Sequence, residues 1–228
     1  EEVSTFSTRL TANAPRTNNL RIAARTVNGT LVMPGKTFSL NAVLGRRTPE
    51  KGYAEAPTIM NGRLVMGHGG GVSQMATTIY NNVFFAGLED VRHMPHSFYI
   101  SRYPVGREAT VNYPDVDLVW RNDSKYAVLV EASVTNTVNV RFWSTKQYDR
   151  VVSETGARTN PRQPKTVYDT RDQCVPQEAN PGFDIVVRRK VYQGGKIVKD
   201  QSWRTVYIAE DKVVCGPKPA ETPDGPRG

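Results

Sequence analysis

The chain has 228 residues, of which 38% are apolar and 9% aromatic, so it can form one hydrophobic core and a small second unit. Its net charge of +8 fits two classes of partner, nucleic acid and polyanionic polymers of a cell envelope. The basic residues are scattered and no nucleic-acid-binding motif accompanies them, so we expect no nucleic-acid partner. No apolar run approaches the ~18 residues of a membrane span, and the polar start Glu1–Ser4 is unlike a signal peptide. We therefore expect membrane contact only through a segment upstream of Glu1.

The two cysteines, Cys174 and Cys215, bracket one strand-rich segment near the end of the chain. A pair in this position predicts a disulfide, and the alternative is two ordinary reduced thiols. The bond would close a loop of about 40 residues, worth roughly 4 kcal/mol in the chain-entropy model. If the bond forms, the compartment is oxidising, which predicts an extracytoplasmic protein.

The first half of the chain predicts one helix and one hairpin. Residues 16–28 carry four apolar residues at helical spacing, so they predict a helix. Residues 37–44 are ambiguous between strand and helix. Residues 57–66 predict a hairpin, with Asn61 and Gly62 as its turn.

The second half begins with a helix predicted from Val72 to about residue 88 by apolar residues at helical spacing. Strand-like segments follow at residues 98–101, 109–113, 117–120, 127–134 and 138–143. Residues 147–173 are polar and contain two prolines, which indicates a linker or a long surface connection. Two further strands are predicted at residues 183–192 and 203–209.

This order of elements predicts an α+β fold, with helices packed on an antiparallel sheet of about four to six strands. A helix followed by a sheet is compatible with a papain-like arrangement. The predicted units are a main domain at 1–146, a connection at 147–173, a small disulfide-stapled β unit at 174–216 and a flexible tail at 217–228.

A glycine-rich stretch, Gly67–Gly71, runs almost directly into the second helix. Consecutive glycines open backbone conformations that are closed to other residues, and they leave N–H groups uncovered. Ser73 follows at the positive end of the helix, where a nucleophile or an anion is favoured. We therefore predict Ser73 as a candidate nucleophile, with backbone N–H groups of Gly71 and Val72 as its oxyanion hole.

Candidate partners for Ser73 follow in the chain order of papain-like enzymes. His96 opens the first predicted strand after the helix and is the candidate base. Asp117 opens a later strand and is the candidate orienting residue, with Asp115 as a competitor. Arginines nearby in sequence can hold a substrate carboxylate bidentately. The candidate substrate-binding residues are Gln74, Arg102 and Arg107.

The same residues also have structural interpretations, and the sequence leaves both open. Serine at a helix start is commonly a cap, and a glycine-rich turn also serves tight packing. His68, His93 and His96 lack an acidic or thiol partner at ligand spacing, so we predict no metal. The stretch Gly67–Gly71 matches neither the phosphate-loop nor the dinucleotide pattern, so we predict no cofactor.

The chain also resembles a known family through a series of ordered motifs. Met33–Asn41 follows the pattern M-P-G-x-x-F-S-x-N, and Gly69–Gln74 reads G-G-G-V-S-Q, where the family has G-G-G-V-C-Q or G-G-G-V-S-Q. The other matching pieces are Asn28–Thr30, Gly45–Thr48, Gly52–Tyr53, Ala56–Pro57, His96–Ser97, Gly106–Val111, Asp117–Leu118 and Arg121–Asn122. Over roughly residues 3 to 145 the chain is therefore similar to the VanW domain family, in its serine-bearing branch. The last β unit resembles the small G-five surface domains.

The resemblance implies a bacterial cell-envelope or secreted protein, from a family named for resistance to vancomycin-type antibiotics. Some members with a cysteine in the signature are regarded as peptidoglycan transpeptidases of the L,D type. Such an enzyme attacks a carbonyl of a stem peptide, forms a thioester and passes the acyl group to a neighbouring amine. By this resemblance Ser73 occupies the nucleophile position and His96 the base position.

Serine in place of the thiol leaves open whether the chain is an enzyme. One hypothesis is acyl transfer of the L,D-transpeptidase type on stem peptides, through Ser73. A second is a non-catalytic peptidoglycan-binding module in which Ser73 replaces a catalytic cysteine, either naturally or by an engineered change. A third is a structural interaction domain, which predicts a buried glycine-rich loop and no cleft.

Overall fold

The fold is described by a computed structural model over residues 1–60, 63–172 and 174–219. The α-helices are α1 (Ala14–Val27), α2 (Leu40–Leu44) and α3 (Ser73–Phe85), and a 3-10 helix covers Pro49–Lys51. The first nine strands are β1 (Glu2–Arg9), β2 (Thr30–Val32), β3 (Thr37–Ser39), β4 (Glu55–Met60), β5 (Arg63–His68), β6 (Glu89–Arg92), β7 (Val119–Arg121), β8 (Val128–Val134) and β9 (Thr137–Trp143). The remaining strands are β10 (Arg150–Thr155), β11 (Thr159–Arg162), β12 (Thr166–Asp169), β13 (Gly182–Gln193), β14 (Lys196–Tyr207) and β15 (Lys212–Cys215).

The main core lies between two helices and a four-stranded antiparallel sheet. The strand order of this sheet is β1-β9-β8-β2, and α1 packs on β8 while α3 packs on β1 and β9. Helices on an antiparallel sheet were expected, although the chain as a whole contains more strand than helix. The papain-like arrangement stays a prediction. Fully buried core residues from both layers include Leu20, Met75, Ile79, Val130 and Val140.

Strand β1 is one of the elements that the sequence did not predict. Its inward-facing residues are polar: Ser4 and Thr8 are buried, whereas a half-buried strand normally presents an apolar face. The Ser4 hydroxyl donates to the backbone carbonyl of Asn82 at 3.1 Å, and Thr8 Oγ1 lies 2.9 Å from Thr78 Oγ1. Hydrogen bonds to α3 thus compensate the burial of these hydroxyls.

Helix α3 is buried along most of its length, and one of its faces binds the extended segment 107–111. Ser73, Thr77 and Asn81 lie on this face at successive turns. Thr77 Oγ1 exchanges two hydrogen bonds with the backbone of Ala109, at 2.9 and 3.2 Å. Asn81 and Ser73 bind backbone groups at the two ends of the segment, at 2.9 and 3.2 Å. These bonds occupy backbone groups of the segment that would otherwise pair in a sheet.

Two predicted strands are therefore wrong. Residues 109–113 form no strand, because side chains of α3 bind the backbone of Ala109 and Val111. The N–H of Thr110 donates to the carbonyl of Met94 at 2.7 Å, and Asn112 forms one isolated bridge. Residues 98–101 form no strand either, since the chain turns there. The carbonyl of Tyr99 instead accepts a hydrogen bond from Asn180 at 3.2 Å.

The other predicted elements fall near the observed ones. The helices predicted at 16–28 and from Val72 correspond to α1 and α3. The ambiguous stretch 37–44 holds both types, strand β3 followed by helix α2. The predicted hairpin is formed by β4 and β5, and its proposed turn at Asn61 and Gly62 lies outside the described residues.

The C-terminal part is a sheet built on the long hairpin of β13 and β14, with β10 and β11 pairing to β13. Residues 147–173, predicted as a linker or a long surface connection, contribute the strands β10, β11 and β12. The polar composition of this stretch reflects strands with one exposed face. The domain boundaries themselves stay a prediction, and residues 220–228 of the predicted tail lie outside the described residues.

The disulfide prediction is confirmed. Cys174 and Cys215 are bonded, and Cys215 ends β15, which pairs in parallel with β12. The two bonded cysteines are separated by 41 positions in the sequence. Within the described ranges no helix has the length and hydropathy needed to cross a membrane.

Candidate functional site

A cleft of about 370 Å³ opens beside the N-terminus of α3. Its walls come from five parts of the chain: the start of α1, the β4–β5 hairpin, the start of α3, the stretch 96–103 and residues 110–112. Asn180 and Glu210 from the C-terminal part close one end. The volume falls in the range of small-ligand sites, so the cleft is the candidate functional site.

Ser73 lies in this cleft, but its hydroxyl is engaged in the structure. Its Oγ lies 3.0 Å from Thr110 Oγ1 and accepts a hydrogen bond from the backbone N–H of Val111 at 3.2 Å. The carbonyl of Val111 is a further acceptor, at 3.4 Å. Ser73 is not the helix cap either, because Val72 occupies that position. The hydroxyl therefore ties α3 to the segment 107–111.

His96 lines the same cleft and is oriented by a buried carboxylate. Its Nδ1 lies 2.7 Å from Glu108 Oε2, and its ring stacks on Tyr103 with centroids 5.4 Å apart. Across the described chain, His96 has no hydrogen bond to Ser73, and Nε2 has no partner at all. The imidazole can therefore offer one hydrogen bond to a ligand in the cleft.

Glu108 connects His96 to the C-terminal sheet. The hydroxyl of Tyr207, in β14, donates to Glu108 Oε1 at 2.6 Å and accepts from the N–H of Gly106 at 3.0 Å. Burial, together with the charge of Glu108, raises the pKa of Tyr207, so the phenol stays a donor at neutral pH. The C-terminal part thus supplies a group that fixes the carboxylate behind His96.

Arg16 contributes a guanidinium to the opposite wall of the cleft. Its Nη2 donates to Gln74 Oε1 at 2.9 Å and lies 3.5 Å from the hydroxyl of Tyr103. Its Nε is buried without a hydrogen-bond partner. Burial lowers the pKa of Arg16, with only partial compensation from Tyr103. Gly71 leaves room for this side chain, since a Cβ there would lie 2.5 Å from Arg16 Cγ.

The other predicted site residues separate into two groups. Arg102 lines the cleft, with its guanidinium over the Tyr103 ring. Gln74 is fully buried and acts on the cleft through Arg16, while its own amide donates to Thr8 and to the backbone of Arg9.

Arg107 and Asp117 lie outside the cleft. The guanidinium of Arg107 packs over the rings of Phe84 and Phe85. Asp117 accepts from the Ser39 hydroxyl at 2.5 Å and from the backbone N–H of Asn41 at 2.9 Å, at the start of α2. Glu108, not Asp117, is the carboxylate bonded to His96.

The predicted oxyanion donors are partly used by the glycine-rich turn itself. The N–H of Val72 donates to the carbonyl of Gly69 at 3.1 Å. A Cβ at Gly70 would lie 2.2 Å from the carbonyl oxygen of Ala56, so close packing requires a glycine there. In the described part of the chain no three His, Cys, Asp or Glu side chains form a group that could hold a metal.

Sequence reasoning missed Arg16, Glu108, Tyr207 and Glu210. Glu108 stands inside a motif that matched the family, which was the one local signal available. Arg16, Tyr207 and Glu210 reach the cleft from distant parts of the chain, and no spacing rule connects them to Ser73 or His96.

Comparison with known proteins agrees with the resemblance seen in the motifs. The family model described as VanW like protein matches residues 15–143. The uncharacterized protein YoaR of Bacillus subtilis is 37% identical over 121 residues, which cover 53% of this chain and 40% of YoaR. The vancomycin B-type resistance protein VanW of Enterococcus faecalis is 26% identical over 157 residues, which cover 66% of this chain and 51% of that protein.

The chain thus spans about half the length, or less, of these two relatives. No solved structure matches. Because the family model covers more than half of the chain, the chain belongs to the VanW family.

Proposed function

We propose that this chain is an extracytoplasmic cell-envelope protein whose cleft binds the stem peptides of peptidoglycan without covalent chemistry at Ser73. Membership of a family linked by name to vancomycin resistance supports a role at the cell wall. The disulfide supports an oxidising compartment outside the cytoplasm.

The observation that carries the proposal is the engagement of the Ser73 hydroxyl. A serine nucleophile needs a base within hydrogen-bond reach of its Oγ. Here Thr110 and Val111 hold the Oγ, and Ser73 is the first of three α3 side chains that bind the segment 107–111. This role is structural, and it leaves the cleft as a binding surface.

A second candidate function is acyl transfer of the L,D-transpeptidase type. It is favoured by the His96–Glu108 pair, because a histidine oriented by a buried carboxylate is the arrangement that a general base requires. For this chemistry the Ser73 hydroxyl would have to leave Thr110 and turn toward His96.

One experiment tests the two candidates together. The full chain and its Ser73→Ala and Ser73→Cys variants are incubated with purified cross-linkable muropeptides. Binding is measured by calorimetry, and covalent adducts are measured by intact-protein mass spectrometry. We expect the wild type and Ser73→Ala to bind muropeptides with similar affinity, and neither to form an adduct.

An adduct on the wild type that disappears in Ser73→Ala would overturn the proposal in favour of acyl transfer. An adduct on Ser73→Cys alone would leave the binding function in place. It would also mean that the fold supports acyl transfer only when a cysteine stands at position 73. Absence of binding by all three proteins would overturn both candidates.

A further inference from the structure

The cleft has charged groups of opposite sign in its walls, and these groups are not paired with each other. From this we infer that its ligand is dipolar, with a carboxylate held by Arg16 and Arg102 and an ammonium group held by Glu210. The inference rests on the proposed function, because it specifies which groups of a wall peptide the cleft recognises.

The carboxylate end is indicated by Arg16, a half-buried cation that lacks a counterion, and by the exposed Arg102, which lines the same cleft. In the part of the chain that the structure describes, neither Arg16 nor Arg102 forms an ion pair. Arg16 is also in the first turn of α1, where the helix dipole already places positive charge. A half-buried cation with an unpartnered Nε is costly until an anion binds, so an anionic ligand group is favoured there.

The ammonium end is indicated by a carboxylate that lacks a cation. Glu210 is half-buried in the cleft wall. Within the described residues its carboxylate accepts one hydrogen bond, from the side-chain amide of Gln177 at a long 3.4 Å. No Lys, Arg or His forms an ion pair with it in the described ranges. Burial raises the pKa of Glu210. An ammonium group bound beside the carboxylate would lower this pKa again, because it favours the charged form.

The position of Glu210 is fixed by contacts on both sides of the cleft. Its backbone pairs with Asn180 in a two-way bridge at 2.9 Å, and the Asn180 side chain donates to the carbonyl of Tyr99. Gln177, which touches Glu210, also accepts from the backbone N–H of Leu64 in the β4–β5 hairpin at 3.0 Å. These hydrogen bonds fix the position of Glu210, although this residue lies outside the segment 15–143 that matches the family model.

The test uses the full chain and one synthetic stem pentapeptide whose α-amine is acetylated and whose γ-linked D-glutamate is amidated. One lysine ammonium and one C-terminal carboxylate then remain. Three further versions carry an acetylated lysine, an amidated C-terminus, or both changes. An all-L tripeptide with the same two charges completes the set, and affinities are measured by calorimetry.

We expect each single block to weaken binding about tenfold or more, as for the loss of one charge-assisted hydrogen bond. Glu210→Gln should remove the preference for the free lysine and leave affinity for the acetylated version unchanged. Arg102→Met should weaken the preference for the free carboxylate without abolishing it, because Arg16 remains in the cleft. Matched controls are Glu178→Gln and Arg46→Met, which change exposed residues away from the cleft.

The outcomes separate the two levels of the proposal. If the stem peptide binds but all four versions bind equally, the dipolar inference is wrong and the proposed function stands. If the stem peptide does not bind but the all-L tripeptide does, with the dependence on Glu210 and Arg102 described above, the dipolar inference stands and the proposed function is wrong. If nothing binds, both are overturned.

Discussion

Two buried arginines in this molecule have opposite surroundings. Arg189, in β13, donates to the carbonyls of Val83 and Phe84 at the C-terminal end of α3, and to Gln201. Arg16 lies at the positive end of α1, with a buried Nε that has no partner. Burial lowers the pKa of both side chains, so both positions disfavour the charge. The protein compensates Arg189 with three hydrogen-bond acceptors, whereas it compensates Arg16 only in part, through Gln74 and Tyr103.

The difference between Arg189 and Arg16 shows how a charged residue that stabilises the fold can be distinguished from one that serves to bind a ligand. A cation at the negative end of a helix stabilises the fold, whereas a cation at the positive end with no counterion does not. Arginine at such a position is consistent with a ligand that supplies the missing anion. The acidic residue Glu210 extends the same reasoning to the other end of the cleft.

The largest expected effect is on the compensated arginine. Arg189→Met should lower the free energy of unfolding by about 3 kcal/mol, because the carbonyls at the end of α3 and Gln201 lose their donor. Chemical denaturation measures this, with Arg188→Met as the matched control on the exposed face of β13, where we expect little change. Equal losses in the two variants would remove the distinction drawn for Arg189.

Next in size is the expected effect on the hydroxyl that ties α3 to the cleft wall. Ser73→Ala should lower the free energy of unfolding by about 1 kcal/mol, since the N–H of Val111 loses its acceptor. The control is Ser153→Ala, because the buried Ser153 hydroxyl has no partner to lose. A Ser73→Ala protein as stable as the wild type would contradict the structural role proposed for this serine.

Replacing Arg16 should have a smaller effect than replacing Arg189. Arg16→Met should change the free energy of unfolding by less than about 1 kcal/mol, because removal of a half-buried cation from the positive end of a helix offsets the loss of the hydrogen bond to Gln74. The same denaturation assay, without ligand, gives the answer. A loss as large as that of Arg189→Met would mean that Arg16 is structural, and the comparison would fail.

The smallest effect concerns pH and the carboxylate of Glu210. Burial raises its folded-state pKa above the ordinary value of 4.5, so the folded protein holds this proton more tightly than the unfolded chain. The contribution to stability is therefore present below pH 4.5 and is lost as pH rises through the folded pKa. Thermal melts should show Glu210→Gln gaining stability relative to the wild type over this window. A constant difference between pH 4 and 7 would contradict the assignment.

The sequence predicted the elements whose signal is apolar periodicity, such as α1, α3, β8 and β9. It failed where buried polar groups replace that signal. Strand β1 turns Ser4 and Thr8 inward, and residues 109–113 bond to side chains of α3 instead of to a neighbouring strand.

Of the residues predicted for the site, Gly71, Ser73, His96 and Arg102 line the cleft. The sequence could not identify the groups that complete the site, because they come from distant parts of the chain. Glu108 lies next to His96 because the segment 107–111 packs on α3. Tyr207 and Glu210 belong to the C-terminal part of the chain, far from His96 in sequence.

The glycine at position 71 has a consequence for how sequences of this kind can change. Its missing Cβ is the space that the Arg16 side chain occupies. A larger residue at position 71 would push the guanidinium out of place, and the positive φ of 98° at this position favours glycine whichever residue stands at position 16. Among related chains an arginine at position 16 should therefore occur only together with a glycine at position 71, and the pair would mark those that keep the same anion-binding end.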